Sequence, residues 1–239
     1  MSDLALRFAQ VVKRYSGVPV VDAFSLEVRR GEFFALVGVN GAGKTTLLKC
    51  LLEFCDTDGG EIEIFDVPHA TTAARARIAY LPERFNPPFY LTGRDFLRYM
   101  LGLYRAPYDE TEVARIFGAL DLSPSALDRP VRAYSKGMTQ KLGLAACLLS
   151  GKDLYVLDEP TGGLDPKARA LLKRELIALR RSGRTLFFTS HALADVAELC
   201  DRLAVVHAGR LRFAGTPAEL TRDTGTSSLE QAFLASIAD

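Results

Sequence analysis

The residues best suited to chemistry lie in a glycine-rich stretch, residues 38–45, which reads Gly-Val-Asn-Gly-Ala-Gly-Lys-Thr. It fits the pattern G-x-x-x-x-G-K-[ST], in which glycines let successive backbone N–H groups face one anion. Lys44 can then reach the β- and γ-phosphates of a nucleotide, while the Thr45 hydroxyl ligates Mg²⁺. A chance turn is the alternative, but an apolar run precedes the stretch and a helical pattern follows it. The sequence therefore predicts a nucleotide-binding loop.

Two acidic residues and a histidine follow apolar runs further along the chain. Asp158 and Glu159 come directly after residues 154–157, and His191 follows residues 186–188 closely. In α/β sheets, ligands gather at the carboxyl ends of strands. There one carboxylate can hold Mg²⁺ with Thr45, the next can polarise an attacking water, and the histidine can touch the γ-phosphate. Taken alone, an acidic pair after a strand is more typical of a helix N-terminus; a phosphate loop upstream favours the catalytic interpretation.

The flanking elements predict a layered α/β fold. Residues 33–37 and 154–157 are continuous apolar runs typical of strands in a parallel sheet that is buried on both faces. Alternating apolar residues at 4–8, 24–28 and 62–64 predict a small antiparallel sheet beside this core. From residue 82 onward, prolines and then helical periods predict an inserted helical lobe, whose third helix starts near Ser135 and presents Met138, Leu142, Ala145 and Leu149 on one face.

The carboxyl-terminal part continues with a helix, a hairpin and two short helices. Asp165 and Pro166 are typical of N-cap and first helical position, and residues 203–213 read as a hairpin. Thr216 to Glu219 and Ser227 to Glu230 both match the capping-box pattern.

Composition narrows the classes of function. The chain has 239 residues, of which 48% are hydrophobic, so it can fill a substantial core. Thirty basic and 29 acidic residues leave a formal charge of +1, which predicts no global attraction to nucleic acid or anionic membrane. No leader pattern or spanning apolar run occurs, so we expect a chain that is neither secreted nor inserted in a bilayer. The four cysteines are scattered, which favours reduced thiols.

In this order and spacing, the motifs resemble those of the ATP-binding subunit of ABC transporters over nearly the whole chain. Residues 38–45 look like its Walker A motif, residues 154–158 like Walker B, and residues 163–165 like the D-loop. The resemblance implies that Glu159 is the catalytic glutamate and His191 the switch histidine. The ATP-binding residues it implies are Tyr15, Gly38, Asn40, Gly41, Ala42, Gly43, Lys44, Thr45, Thr46, Ser135, Gly137 and Asp165. The Mg²⁺ ligands assigned on the same basis are Thr45, Asp158 and Glu83. From position alone, Tyr15 is either an ordinary surface residue or a ring that stacks on adenine, and the resemblance favours stacking.

Two positions depart from the family pattern. The signature Leu-Ser-Gly-Gly-Gln stands as Tyr-Ser-Lys-Gly-Met at residues 134–138, retaining Ser135 and Gly137, which would face the γ-phosphate of a partner subunit. Glu83 replaces the usual glutamine of the Q-loop, which adds an anion near the phosphates, while Lys136 adds a cation. Both variants resemble those of the ABC-2 exporter branch. Export is therefore expected rather than import.

The resemblance implies a fold class of α/β, a P-loop NTPase (RecA-like) core with an antiparallel β subdomain and an inserted α-helical subdomain. We expect a single domain, with residues 1–82 and 151–215 as nucleotide-binding core, 83–150 as helical subdomain and 216–239 as terminal helices. The implied protein is an ATPase at the cytoplasmic face of the membrane, which dimerises around two ATP molecules and drives separate integral membrane permease subunits.

Two other classes and one local ambiguity stay open at this point. A soluble ABC ATPase acting on DNA or ribosomes is one class, but the coiled-coil insertions, zinc modules or basic arms typical of it are not visible. An unrelated P-loop kinase or GTPase would leave residues 134–138 and His191 unexplained. The aromatic, proline-rich stretch 85–91 fits equally a socket for the membrane subunit and the core of the helical lobe.

Overall fold

A computed structural model describes residues 3–238. In chain order the strands are β1 (Leu4–Tyr15), β2 (Val18–Arg29), β3 (Phe33–Val37), β4 (Gly59–Ile64), β5 (Val67–Pro68), β6 (Ile78–Leu81), β7 (Leu154–Asp158), β8 (Thr185–Ser190), β9 (Arg202–His207) and β10 (Arg210–Gly215). The helices are α1 (Lys44–Leu51), α2 (Thr72–Arg75), α3 (Gly93–Tyr104), α4 (Glu110–Ala119), α5 (Lys136–Leu149), α6 (Pro166–Arg181), α7 (Leu193–Leu199), α8 (Pro217–Thr224) and α9 (Leu229–Ile237).

The larger sheet places the predicted chemical residues at one edge. Its strands lie in the order β10-β9-β3-β8-β7-β6, and all neighbours are parallel except β10 and β9. Every residue of β3, β7 and β8 is buried, as expected for strands covered on both faces. Because β8 pairs with both β3 and β7, Val37 lies opposite Ser190 and Asp158 lies opposite Thr189. The loop after β3 and the acidic pair after β7 are thereby brought together.

The smaller sheet is antiparallel, in the order β2-β1-β4-β5, and packs against the larger one together with α1. An aromatic contact crosses the interface, where the ring centroids of Phe8 in β1 and Phe187 in β8 lie 6.0 Å apart. Within the smaller sheet, Phe8 also packs on Phe24 of β2, with ring centroids 5.7 Å apart. The predicted antiparallel β subdomain is confirmed.

Helices α3 to α5 lie between β6 and β7 and form the predicted helical insertion. Thr92, Asp109 and Ser135 cap their N-termini, each accepting a backbone N–H of the first turn. Gly143 allows α5 to approach β6 closely, since a Cβ there would lie 2.6 Å from Leu81 and 2.9 Å from Phe85. The helical insertion therefore packs directly on the stretch that follows β6.

Three local predictions need correction or completion. Helix α5 is buried on all sides over residues 140–147, while Met138 and Leu149, expected on a single buried face, are only half-buried. The N-cap of α9 is Ser228 rather than Ser227, because Ser228 Oγ accepts the backbone N–H of Gln231, so the predicted capping box of Ser227 and Glu230 does not form. Helix α7 was not foreseen. The box at Thr216 and Glu219 is confirmed.

Candidate active site

The phosphate loop is held in shape by contacts that only glycine permits. Gly43 has φ 104°, and a Cβ on it would lie 2.6 Å from the carbonyl oxygen of Val20. A Cβ on Gly38 would lie 2.5 Å from the carbonyl oxygen of Val206. Strands β2 and β9 therefore press the loop from two sides, and α1 begins at Lys44, with its first backbone N–H groups available to an anion.

Lys44 is the buried cation of this loop, with only 9% of its surface exposed. Its Nζ donates to the carbonyl oxygen of Gly38 at 2.6 Å and to that of Val39 at 3.2 Å. Burial lowers the pKa of Lys44, and the carboxylates of Glu159, Asp158 and Glu83 act in the opposite direction. Hydrogen bonds within the chain are therefore sufficient to position the ammonium group at the loop.

A cleft of about 1220 Å³ opens over the loop. The predicted site residues that line it are Gly38, Asn40, Gly41, Ala42, Gly43, Lys44, Thr45, Thr46, Glu83, Asp158, Glu159 and His191. The opposite wall is contributed by the helical insertion and includes Tyr134, Lys136, Thr139 and Gln140. The volume is ample for a nucleotide with its phosphates.

Asp158 ends β7 as a deeply buried carboxylate, 3% exposed. The Thr189 hydroxyl donates to Asp158 Oδ1 at 2.5 Å and accepts the backbone N–H of Glu159 at 2.9 Å. Burial raises the pKa of Asp158, and the hydrogen bond from Thr189 opposes that shift. Thr189 was missed in the sequence, although two polar residues at the end of an apolar run were a signal. The strand pairing explains its role.

Glu159 has a left-handed backbone, with φ 51°. This conformation is uncommon for residues other than glycine and costs of order 1 kcal/mol. A turn stabilises it, in which Gly162 N–H donates to the carbonyl oxygen of Glu159 at 2.9 Å. The side chain is turned into the cleft, where its exposed fraction is 12%.

His191 reaches Glu159 from the end of β8. Its Nδ1 lies 2.9 Å from Glu159 Oε2, but the two groups are not aligned as a hydrogen bond, and Oε2 has no other partner among the residues described. The histidine side chain is 71% exposed. The pair therefore consists of a shielded carboxylate and a ring open to the cleft, as the catalytic interpretation requires.

The donor set suits Mg²⁺ shared with a phosphate. Glu83, Asp158 and Glu159 line the cleft together with Thr45, so three carboxylates and a hydroxyl offer oxygen ligands there, beside the basic residues Lys44, Arg84 and Lys136. Within residues 3–238, however, no three His, Cys, Asp or Glu side chains are close enough to form a metal cage. Mg²⁺ is commonly held by one or two carboxylates plus substrate phosphates.

Four predicted ATP-binding residues do not line the cleft: Tyr15, Ser135, Gly137 and Asp165. Ser135 Oγ accepts the backbone N–H of Met138 at 3.2 Å, and Asp165 Oδ1 accepts that of Ala168 at 2.9 Å, so both side chains cap helices. Tyr15 is half exposed, with its hydroxyl 3.9 Å from Cys55 Sγ. Their roles toward ATP stay predictions.

The cysteines are free thiols, and two are closer than the sequence implied. Cys50 Sγ and Cys55 Sγ lie 3.7 Å apart, whereas Cys147 and Cys200 lie in separate places. Burial raises the pKa of Cys50, Cys147 and Cys200 to about 12, so these three are unreactive at neutral pH.

A family model described as ABC transporter matches residues 21–162. The chain belongs to the ABC transporter family. It is 40% identical over 202 residues to an ABC transporter ATP-binding protein of Synechocystis, an alignment covering 82% of this chain and 56% of that relative. It is 38% identical over 223 residues to the Nod factor export ATP-binding protein I of Ralstonia nicotianae, an alignment covering 91% of this chain and 69% of that relative.

Solved structures agree with this assignment. A structure of an ATP-binding subunit of an ABC transporter superimposes with TM-score 0.89 and 29% sequence identity. The match covers 97% of this chain and 99% of the chain in that structure. A dimeric ATP-binding cassette bound to ADP and Pi matches with TM-score 0.80 at 19% identity, which shows the fold alone. The resemblance and the P-loop α/β fold predicted from the sequence are therefore confirmed.

This ABC transporter family member spans only part of the curated relatives it matches, 56% and 61% of the first two. Among residues 3–238, no helix is both long enough and apolar enough to span a bilayer.

Proposed function

We propose that this chain is the ATP-hydrolysing subunit of an ABC transporter, which dimerises around two ATP molecules and drives separate membrane permease subunits from the cytoplasmic face. The single observation that carries the hydrolytic role is the placement of Glu159 beside His191 in the cleft that also contains Lys44. The site assignments and the division into a core of residues 1–82 and 151–215, a helical subdomain of 83–150 and terminal helices of 216–239 belong to this proposal.

Each site residue has a defined task. Lys44 and the N–H groups at the start of α1 bind the phosphates, and Glu159 orients and polarises the attacking water. His191, which lies beside the Glu159 carboxylate, contacts the γ-phosphate. Asp158 and Thr45 would hold Mg²⁺, with Glu83 as a further oxygen donor, and the ion would neutralise charge on the phosphate oxygens. The Thr189 hydroxyl fixes both acidic residues at the strand end.

Export is the direction that we propose. The relatives whose names state a transport role include Nod factor export proteins, and the residues at 134–138 and Glu83 resemble those of the ABC-2 exporter branch.

Phe89 and Tyr90 are 66% and 71% exposed, which suits contact with a membrane subunit, whereas Phe85 packs on Phe96 inside the helical insertion. Purification from native membranes should recover a polytopic membrane protein; recovery of ribosomes or DNA instead would contradict a transport role.

The decisive experiment for hydrolysis is Glu159→Gln, which preserves size but removes the anion that polarises water. We expect ATP to bind with little change, hydrolysis to fall by at least about 100-fold, and an ATP-bound dimer to accumulate in size exclusion with light scattering. Glu61→Gln, at an exposed position of β4, is the matched control and should hydrolyse ATP normally. Near-normal hydrolysis by Glu159→Gln would place the base elsewhere.

A further inference from the structure

Gln140 is a buried polar side chain that the mechanism above does not use. It lies in the second turn of α5, is 7% exposed and lines the cleft. Its Nε2 is shielded from solvent and has no hydrogen-bond partner among residues 3–238. A buried donor without an acceptor is destabilising, so we look for an acceptor that reaches this amide in another state of the site.

The neighbours of Gln140 point to Glu83 as that acceptor. Gly143, one turn further along the same helical face, is in close contact with Leu81 and Phe85. Those two residues flank Glu83, so the face of α5 that bears Gln140 lies against the stretch containing Glu83. Glu83 also lines the cleft, and its charge acts on both Lys44 and Asp158.

The chemistry of the two groups is complementary. An ionised carboxylate only accepts hydrogen bonds, whereas the free side of the Gln140 amide only donates them. A bond between them would be charge-assisted, which is the stronger kind. It would also connect α5, whose N-cap is Ser135, to the residue expected to approach the phosphates.

We propose that Gln140 is a positioning residue, whose amide donates to the Glu83 carboxylate when Mg-ATP fills the cleft. The bond fixes the start of α5 relative to the phosphate loop. This inference rests on the proposed function, because it needs Mg-ATP to bind in the cleft.

The test is Gln140→Met, which keeps the length of the side chain but removes both donors. The nucleotide-free variant should melt about 2 °C higher, because an unpartnered buried donor is gone. Its affinity for a fluorescent ATP analogue with Mg²⁺ should fall about tenfold, the loss expected for one charge-assisted hydrogen bond. Gln231→Met, at an exposed position of α9, is the matched control and should change neither quantity.

Two further variants show whether the effect passes through Glu83. In a Glu83→Ala background, Gln140→Met should change the affinity by less than about twofold, since the acceptor is already absent. The exchange Gln140→Glu with Glu83→Gln restores the pair in reverse and should bind more tightly than Gln140→Glu alone, in which two carboxylates face each other.

Several results would overturn the inference. Gln140→Met that melts lower or fails to fold would show that the amide supports the free chain. An equal loss of affinity with and without Glu83, or no recovery in the exchange variant, would show that Gln140 acts elsewhere. Normal Mg-ATP binding by Gln140→Met overturns this inference alone, whereas a wild-type chain that binds no Mg-ATP overturns the proposed function as well.

Discussion

The phosphate loop and the start of α5 differ in whether contacts within the same chain enclose them. In the loop, Lys44 is buried against two carbonyl groups, and Gly38 and Gly43 are packed against neighbouring strands. At the start of α5, Ser135 is exposed and a Cβ on Gly137 would meet nothing within 4 Å. One half of the site is built by internal packing, whereas the other presents small residues to an outside surface. In the dimer that we propose, a second copy of the chain supplies that surface.

The largest expected effect tests the internally built half. Lys44→Ala should weaken Mg-ATP binding by more than about 100-fold, because the phosphates lose a point charge in a shielded loop. Titration with a fluorescent ATP analogue measures the change. Lys49→Ala, at an exposed position of the same helix, is the control and should bind normally. Unchanged affinity in Lys44→Ala would refute the phosphate-loop assignment.

The next effect tests whether the two halves meet across a dimer. Ser135→Arg should hydrolyse no ATP by itself, because a bulky cation blocks closure against the partner. Mixing Ser135→Arg with Lys44→Ala should restore part of the ATPase activity, since one of the two composite sites then has both an intact Lys44 and an intact Ser135.

The stoichiometry of the recovery provides the control. Activity should be greatest near equal amounts of the two chains and absent in either alone, as a steady-state ATPase assay over a series of ratios would show. Normal hydrolysis by Ser135→Arg alone would contradict the composite site.

The smallest effect compares one substitution in both halves. Gly43→Ala should destabilise the fold by more than about 2 kcal/mol, because its φ of 104° and the nearby Val20 carbonyl both exclude a methyl group. Gly137→Ala should leave stability unchanged or raise it by about 0.4–1 kcal/mol, yet it should reduce ATPase activity. Urea unfolding curves measure the stability of the two variants. If both substitutions destabilise the fold to a similar extent, the contrast between the two regions is wrong.

The sequence predicted the internally built half more fully than the other. Residues 33–45 carry a buried strand, glycines and a lysine in one continuous stretch, so strand, loop and helix follow from local rules. The caps at Asp165 and Thr216 were predicted for the same reason, because each is a short-range pattern.

What escaped prediction depends on pairing between distant residues. Thr189 bridges Asp158 and Glu159 only because β8 lies beside β7 in a particular register. The left-handed backbone of Glu159 accompanies the turn to Gly162, and a glutamate at this position does not predict such a conformation. Burial of α5 on all sides follows from its position between β6 and the other helices, which a helical period read along one chain segment does not contain.

The two carbonyl groups that hold Lys44 have a consequence for selectivity. Two of the three N–H donors of the ammonium group already have carbonyl acceptors, so a single anion gains at most one new hydrogen bond from Lys44 unless it displaces a carbonyl. A small monovalent anion offers little more than those carbonyls do. A triphosphate offers several charged oxygens at once, and the N–H groups at the start of α1 reward it further. The loop therefore favours a triphosphate over a small monovalent anion.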